Sequence, residues 1–328
     1  MNIYDIARLA GVSTATVSRV LNGSPHVSEA SRKRVEAVIT QVGYIPNAFA
    51  HRLNTRTSRT IGIICPVISD PNHAYPVSEL SRLLREHDFE ILLISTQTNP
   101  ESKRPYFTSL INRQVDAAIV IGCNRSAQER KDFLFLAQRC PVFVVNGRVD
   151  GENIYCTLCD ERRAASDAVR RLTKAGCSRI LYLYDSETYS GLCKLEGYRD
   201  GMRQYAQGKP LVRRVVTPGP SFGEAVRIVG ELLKSESFDA VLAADDSLAI
   251  GAGKALAAAG RASVPMIGFN NTILSRCATP ELSSVDNRMK QQCALTVQTL
   301  ISVLHGEQAS SCVTLDAELI ERGGVFSA

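Results

Sequence analysis

The first 45 residues carry hydrophobic side chains at the spacing of α-helices. Stretches 3–10, 14–21 and 28–42 each repeat apolar residues three or four positions apart, as amphipathic helices do. Gly11 and Gly43 follow the first and third stretches, and a glycine commonly ends a helix. The pattern predicts three short helices around one small aliphatic core, with the glycine-containing turn of a helix-turn-helix between the first two.

Beyond residue 60 the pattern changes to apolar runs that alternate with helical segments. The strand-like runs lie at 61–65, 91–95, 117–121, 142–146, 180–184, 240–244 and 265–269, and the helical segments lie near 77–87, 101–114, 160–175, 191–206, 222–234, 246–260 and 288–305. Strands that alternate with helices predict parallel sheets covered on both faces. So many elements indicate two lobes. The predicted fold class is therefore α/β, with a three-helix headpiece in front of a two-lobed body.

The second predicted helix has a small and polar outer face. Its outward positions are Thr14, Ala15, Thr16, Ser18, Arg19 and Asn22. In a major groove Arg19 can bind guanine O6 and N7 through two hydrogen bonds, and the methyl groups of Thr14 and Ala15 can meet a thymine methyl. Thr16 and Ser18 can donate to phosphates, which set the register of a protein on DNA. The alternative is a generic amphipathic helix with a polar outside.

The net charge of +5 lies entirely in the headpiece. Residues 1–60 hold eight Lys and Arg against three acids, and the rest of the chain holds 30 of each sign. A basic module on a neutral body is typical of a protein that binds a polyanion such as DNA. A merely solvated basic face is the alternative.

The segment after the third helix predicts a hinge. Pro46 blocks continuation of that helix, and Asn47 can cap a short helix over 48–54. So short a helix is unstable alone, and DNA with a second copy of the chain would fold it. Small residues such as Ala50 would let two copies pack closely, and Leu53 would wedge a base step in the minor groove.

Residues 3–53, IYDIARLAGVSTATVSRVLNGSPHVSEASRKRVEAVITQVGYIPNAFAHRL, resemble the DNA-binding headpiece and hinge of the LacI/GalR family of bacterial transcription regulators. The resemblance implies a dimer on a near-palindromic operator, with the second helix in the major groove and paired Leu53 side chains in the minor groove. The DNA-binding residues predicted in this way are Asn2, Tyr4, Ser13, Thr14, Ala15, Thr16, Ser18, Arg19, Asn22, His26, Asn47, Ala50 and Leu53.

The body resembles the family more loosely, and the resemblance implies the two lobes of a periplasmic-binding-protein-like domain. The implied organisation is a headpiece at 1–45, a hinge at 46–59 and an effector-binding and dimerisation domain at 60–328. The first lobe comprises about 60–159 and 288–319, and the second about 162–286 and 320–328, with crossings near 159–162, 285–290 and 318–322.

Polar residues follow several predicted strands, where open α/β sheets bind ligands. Polar residues follow strands in every α/β protein, however, so this rule alone is weak. The strand-end rule nominates residues 70–75, 122–124, 146, 185–186, 245–246 and 270–271, and the family resemblance points to Tyr75, Lys194, Asp245 and Asn270. The expected effector site is Asp70, His73, Tyr75, Asn124, Asn146, Lys194, Phe222, Asp245 and Asn270.

Two of these residues depart from the family pattern, and the departures bear on the ligand. Lys194 replaces the usual arginine, and Asn270 stands where aspartate is commonest. Lysine is a mobile point charge, so a polyol gains less from it than from the fork of an arginine. A sugar-like effector is expected. An acidic or phosphorylated ligand, a vestigial cleft and control by a protein corepressor remain alternatives.

Several classes of function are disfavoured by the sequence. No apolar run reaches the roughly 18 residues of a membrane span, and the amino terminus lacks a secretion signal, so we expect a cytoplasmic protein. The lone Cys156-x-x-Cys159 has no second ligand pair, so neither a metal nor a cofactor is expected. No catalytic motif is present, and we predict a regulator, not an enzyme. A solute-binding protein without DNA function is the further alternative.

Overall fold

A computed structural model describes residues 2–21, 24–43, 58–97, 102–206, 208–216 and 221–323. The chain divides into two compact units, Met1–Ser58 and Arg59–Ala328. The architecture confirms the predicted fold class, a helical headpiece followed by two lobes with largely parallel sheets.

The first unit contains the three predicted helices. They are α1 (Ile3–Ala10), α2 (Thr14–Leu21) and α3 (Glu29–Val42). Asn2 caps α1 in a capping box with Asp5, and Gly11 ends the helix at a φ of 62°. All three helices contribute to a single buried cluster, which is built around Ile6, Val17 and Val35. The hinge residues 44–57 lie outside the described residues.

The first lobe is built on a six-stranded sheet of order β11-β5-β4-β3-β1-β2, in which every pair is parallel. Its strands are β1 (Thr60–Cys65), β2 (Glu90–Ser95), β3 (Ala117–Ile121), β4 (Val142–Val145), β5 (Ile154–Cys159) and β11 (Cys312–Leu315). Its helices are α4 (Pro71–Glu86), α5 (Arg104–Asn112), α6 (Ala127–Ala137) and α12 (Met289–Leu304). Separate apolar clusters cover the two faces, with α4 and α12 on one and α5 and α6 on the other.

The second lobe repeats this plan with the order β12-β10-β9-β8-β6-β7, and only the edge strand β12 is antiparallel. Its strands are β6 (Ile180–Tyr184), β7 (Leu211–Arg214), β8 (Ala240–Ala243), β9 (Met266–Phe269), β10 (Ser283–Asp286) and β12 (Glu318–Ile320). Its helices are α7 (Glu161–Lys174), α8 (Tyr189–Gly201) with a π-helical turn at Met202–Ala206, α9 (Ser221–Leu232), α10 (Asp246–Ala258) and α11 (Ile273–Cys277).

Three crossing segments join the lobes, after Cys159, Asp286 and Leu315. The third differs from the predicted position of 318–322, and the predicted lobe boundary at 319 falls inside β12. The reason is that Glu318–Ile320 pairs with β10 of the second lobe. A strand of three residues is too short to show a periodic signal in the sequence.

Helices α7 and α8 approach each other very closely. Gly197 and Gly201 lie one helical turn apart on α8, and they face the backbone of α7. A Cβ atom at Gly197 would collide with the carbonyl oxygen of Arg162, and one at Gly201 would meet Val169. Glycine is therefore required at Gly197 because α7 occupies the space of a side chain.

Candidate functional site

The outer face of α2 is available to a partner of the headpiece. Ala15 and Arg19 are exposed, whereas Val17 and Val20 are buried against α1 and α3. Ser13 caps the helix, because its Oγ accepts a hydrogen bond from the amide of Thr16 at 3.2 Å. The helix therefore holds the predicted DNA-reading residues on one outward face, with Thr14, Thr16 and Ser18 partly exposed around Arg19.

The other predicted DNA-binding residues fall into two groups. Asn2, Tyr4 and His26 are exposed on the headpiece surface, and Tyr4 is 72% exposed. Asn22, Asn47, Ala50 and Leu53 lie outside the described residues.

In the first lobe, two predicted ligand residues, Asp70 and His73, lie at the start of α4, after β1. Asp70 caps α4 by accepting from the amide of Asn72 at 2.9 Å. His73 places Nδ1 3.2 Å from the carbonyl oxygen of Val67. Burial lowers the pKa of His73, although the nearby Asp70 acts against this shift. A neutral His73 then donates from Nδ1 and offers Nε2 as an acceptor.

Asn124 and Asn146 follow β3 and β4 and belong to the boundary between the lobes. The amide of Asn124 donates to the Glu129 carboxylate at 2.9 Å, and Asn124 forms an isolated antiparallel bridge with Thr188 of the second lobe. Asn146 is in the left-handed region at a φ of 56°, and its amide donates to Gln292 at 3.1 Å. Tyr75 is half-exposed on the first turns of α4.

Lys194 is turned into the second lobe. It is 4% exposed, and its ammonium donates to the carbonyl oxygen of Ala244 at 3.1 Å and to Oδ1 of Asn270 at 3.0 Å. Its ammonium also lies 3.4 Å from the buried carboxylate of Glu161 and 4.8 Å from the ring centre of Phe269. Two donors of this lysine therefore bond to protein oxygens, and its charge is offset by Glu161, whose nearer oxygen Oε1 is buried and accepts no hydrogen bond from the described residues.

Asn270 connects this cluster to the opposite lobe. Its Nδ2 donates to Oδ1 of Asn72 across the cleft at 2.8 Å, and its Oδ1 also accepts from Asn287 at 3.1 Å. Asn287 lies in the second crossing segment, and its own backbone oxygen accepts from Gln292 at 2.7 Å. A chain of amides, of which Asn287 and Gln292 are fully buried, thus joins both lobes to the crossing segment.

Carboxylates concentrate on the second-lobe side of the cleft. Asp245 caps α10 through the amide of Leu248 at 2.7 Å, and burial together with the charges of Asp185 and Asp70 raises its pKa to about 8. Burial also raises the pKa of Asp185, whose carboxylate bonds to Ser221. Phe222 follows at the start of α9, partly exposed, with Lys254 over its ring. The cleft is therefore rich in acceptors.

Sequence reasoning missed residues that the fold brings to this cleft. Asn72, Asn287 and Glu161 are absent from the expected effector site, although they contact Asn270 or Lys194 directly. Asn72 lies within residues 70–75, which the strand-end rule nominates, but the rule does not single it out there, and no such signal points to Asn287. Glu161 could have been suspected, because an acid directly follows the first crossing segment.

Cys156 and Cys159 are buried strand residues, and burial raises the pKa of their thiols to about 11 and 12. Among the described residues no group of three acids, histidines or cysteines is placed to hold a metal ion. No helix in the described ranges is long and apolar enough to cross a membrane.

Two family models match the chain, and together they span most of it. Residues 2–47 match the bacterial regulatory proteins of the lacI family. Residues 58–320 match the periplasmic binding proteins and sugar binding domain of the LacI family. The chain belongs to the LacI family.

Relatives agree with this assignment. An HTH-type transcriptional regulator of Lachnoclostridium phytofermentans is 38% identical to this LacI-family chain over 98% of both sequences. The HTH-type transcriptional regulator AscG of Escherichia coli is 30% identical, covering 99% of this chain and 98% of its own. This LacI-family protein is therefore a DNA-binding transcriptional regulator, in a family without enzymatic activity.

Solved structures agree on the fold. The Lac repressor dimer bound to operator and the anti-inducer ONPF superposes with a TM-score of 0.86 at 22% identity, covering 98% of each chain. The CelR–cellobiose complex gives a TM-score of 0.70 at 25% identity, covering 98% of this chain and 99% of that one.

Proposed function

We propose that this LacI-family regulator is a repressor that binds a near-palindromic operator as a homodimer, and that a small sugar-like effector bound between the lobes controls its affinity for the operator. The observation that carries the DNA-binding part is the exposed Arg19 on the outward face of α2, beside the small side chain of Ala15.

The chemistry of α2 supports reading of bases in the major groove. A guanidinium can bind guanine O6 and N7 together, and the methyl groups of Thr14 and Ala15 match a thymine methyl. Because the helix is capped by Ser13 and packed through Val17, these groups are held on a rigid element. His26, Tyr4 and Asn2 are exposed on the headpiece, and in this proposal they contact phosphates, which would set the register.

Dimerisation on the operator is supported by the Lac repressor, which binds its operator as a dimer. A symmetric dimer would present two copies of α2 to two half-sites, so a near-palindrome is expected. In this proposal Asn47, Ala50 and Leu53 form the hinge that enters the minor groove.

A hydroxyl-rich effector is supported by the acceptors of the cleft. The carboxylates of Asp70, Asp185 and Asp245 can each accept from a hydroxyl, and neutral His73 adds Nε2. A phosphate would find the ammonium of Lys194 already paired with Glu161. CelR, a relative in fold, holds cellobiose. The asparagines Asn124 and Asn146 complete the proposed site.

Control of the operator would follow from linkage. An effector that prefers one relative angle of the lobes shifts the population toward that angle, and operator affinity changes by the same free energy. Such a regulator acts in the cytoplasm, where DNA and sugars derived from the medium are both present.

The proposal is tested by selecting duplexes from a random library with the purified full-length protein. We expect a two-fold symmetric consensus, bound by two protein chains, and relaxed preference at one position of each half-site in Arg19→Ala. Arg8→Ala is the matched control, because Arg8 is another exposed arginine of the headpiece, on α1. A protein with no preference over random duplex at low salt would contradict the proposal.

The effector is sought by thermal shift against sugars, sugar phosphates and inorganic phosphate. A ligand selective for the native state raises the melting temperature. We expect shifts from neutral sugars and none from phosphate, and the reverse result would contradict the proposed ligand class.

A further inference from the structure

The two lobes also meet at a place apart from the three crossing segments and the Asn72–Asn270 bond. Arg125, in the loop between β3 and α6 of the first lobe, reaches three residues on the first two turns of α8. Its guanidinium lies 2.7 Å from the Glu196 carboxylate and 3.0 Å from Sγ of Cys193, and it stacks over the Tyr189 ring at 4.8 Å. We call these four residues the latch.

Backbone contacts lie directly beside the latch. The amide of Tyr189 donates to the carbonyl oxygen of Cys123 at 2.7 Å. Tyr189 is the first residue of α8, so its amide has no acceptor within the helix. This amide is therefore protected from solvent exchange only while the second lobe lies against the loop of the first.

The first-lobe side of the contact is held rigidly. Glu129, which is 3% exposed, accepts from the amide of Asn124 and forms a short ion pair with buried Lys103. The Lys103 ammonium also donates to the carbonyl oxygen of Gly122 at 3.3 Å. The loop that carries Arg125 is thus anchored to its own lobe by a buried ion pair.

The latch lies away from the crossing segments, so it can restrict the angle between the lobes. The crossing segments leave β5, β10 and β11, whereas the latch joins the end of β3 to the helix after β6. Residues that join two bodies away from their hinge resist separation of those bodies. The same helix carries Lys194, so α8 connects the latch to the centre of the proposed effector site.

We propose that Arg125 is a positioning residue that clamps α8 to the first lobe and thereby sets how readily the two lobes separate. Its regulatory consequence rests on the proposed function, in which separation of the lobes is the motion that the effector controls. Arg125 and Glu196 are each about one third exposed, at 37% and 35% of their side-chain surface. A partly exposed ion pair changes the equilibrium between joined and separated lobes by only a small factor. The lobes can therefore still separate and rejoin reversibly.

The test measures hydrogen exchange of the Tyr189 amide in the full-length protein, with neither operator nor effector present. We expect Arg125→Ala and Glu196→Gln each to accelerate this exchange by about two- to fivefold, the range that partly exposed ion pairs provide. The double variant should exchange no faster than Arg125→Ala alone, because both changes break one contact.

Arg162→Ala is the matched control, since Arg162 also lies near Glu196, at 3.7 Å, but its ion pairs stay within the second lobe. We expect it to leave Tyr189 exchange unchanged. Arg125→Lys keeps the charge without the guanidinium fork, and it provides an intermediate rate if the alanine variant does not fold.

Unchanged Tyr189 exchange in both Arg125→Ala and Glu196→Gln would overturn the proposal, as would equal acceleration in Arg162→Ala. Because the measurement uses no DNA and no ligand, either result would contradict the role of Arg125 without contradicting the proposed operator binding. Conversely, a protein that prefers no operator sequence can still show the expected changes in Tyr189 exchange, so the two proposals fail independently.

Discussion

The side-chain amide of Asn270 donates a 2.8 Å hydrogen bond to the side-chain oxygen of Asn72, across the cleft between the lobes. The acceptor lies on the first turn of α4 in the first lobe, and the donor lies at the end of β9 in the second. A ligand that enters the cleft must therefore preserve this bond or replace it.

Asn72→Ala removes the acceptor and leaves the Asn270 amide without its partner. We expect the free energy of unfolding to fall by about 0.5–1.5 kcal/mol, the usual net contribution of one hydrogen bond. Urea denaturation measures the loss. Ser78→Ala, at an exposed position of the same helix, should leave the stability unchanged. A parent-like stability for Asn72→Ala would show that water replaces Asn72 without loss.

Lys194→Met removes one partner of the buried ion pair with Glu161. Because the carboxylate then remains buried without a cation, we expect a loss of about 3–5 kcal/mol in the free energy of unfolding. The double variant Lys194→Met/Glu161→Gln should recover part of this loss, because no uncompensated charge remains. Denaturant unfolding measures the free energy of unfolding of the single and the double variant. Equal instability of the single and double variants would contradict the pairing.

Asp245 gives the folded protein a pH dependence. Its raised pKa of about 8 means that the folded state binds a proton that the unfolded state releases near pH 4. The contribution of Asp245 to stability therefore declines as the pH rises from about 4 to about 8. His73 opposes this trend below its ordinary pKa of about 6.5, because its folded pKa is lowered.

Asp245→Asn isolates this effect. Asparagine also caps helices well, so the bond to the amide of Leu248 can be kept while the titration is lost. We expect the variant to gain stability relative to the parent as the pH is raised from 5 to 8. Melting temperatures at both pH values measure this difference. A constant difference across the range would count against the raised pKa.

Arg19→Ala tests base reading in energetic terms. Removal of a two-bond contact with guanine should cost about 1–3 kcal/mol of discrimination at one base pair of each half-site. Affinities for single-base variants of the selected operator measure the loss. If parent and mutant rank all variants equally, Arg19 does not read a base.

Leu53→Gly tests the predicted hinge wedge. Loss of the apolar side chain should weaken specific binding and reduce bending of the duplex, because no side chain would then insert between the base pairs of the unstacked step. Gel mobility of circularly permuted operator fragments measures the bend. An unchanged bend and affinity would refute the role assigned to Leu53.

Most helices were predictable because they bury one apolar face, and seven strands were predictable because they are apolar runs. Strands β5, β7, β10, β11 and β12 were not among the predicted runs. Helix α6 was not predicted, since its inward face carries Glu129 and Asp132, which are 3% and 0% exposed. Buried acids interrupt the hydrophobic repeat, so the sequence of α6 lacks the pattern of an amphipathic helix. Similarly, α4 begins at Pro71, six residues before the predicted start, because Pro76 lies inside it and interrupts the expected pattern.

The site was predictable only in part. Strand ends and the family resemblance indicate which loops face the cleft, but not where a long side chain points. Lys194 turns inward because Glu161, Ala244 and Asn270 provide partners for its ammonium. Those partners come from three distant stretches of the chain, and only the folded lobe brings them together.

The contact of Gly197 with the backbone of Arg162 has a mechanical consequence. Two helices that touch backbone to backbone have no flexible side chains between them to absorb a displacement. Helix α7 begins at Glu161, directly after the first crossing segment. A displacement of α8 must therefore also move that crossing segment. A larger residue at Gly197 would force the two helices apart.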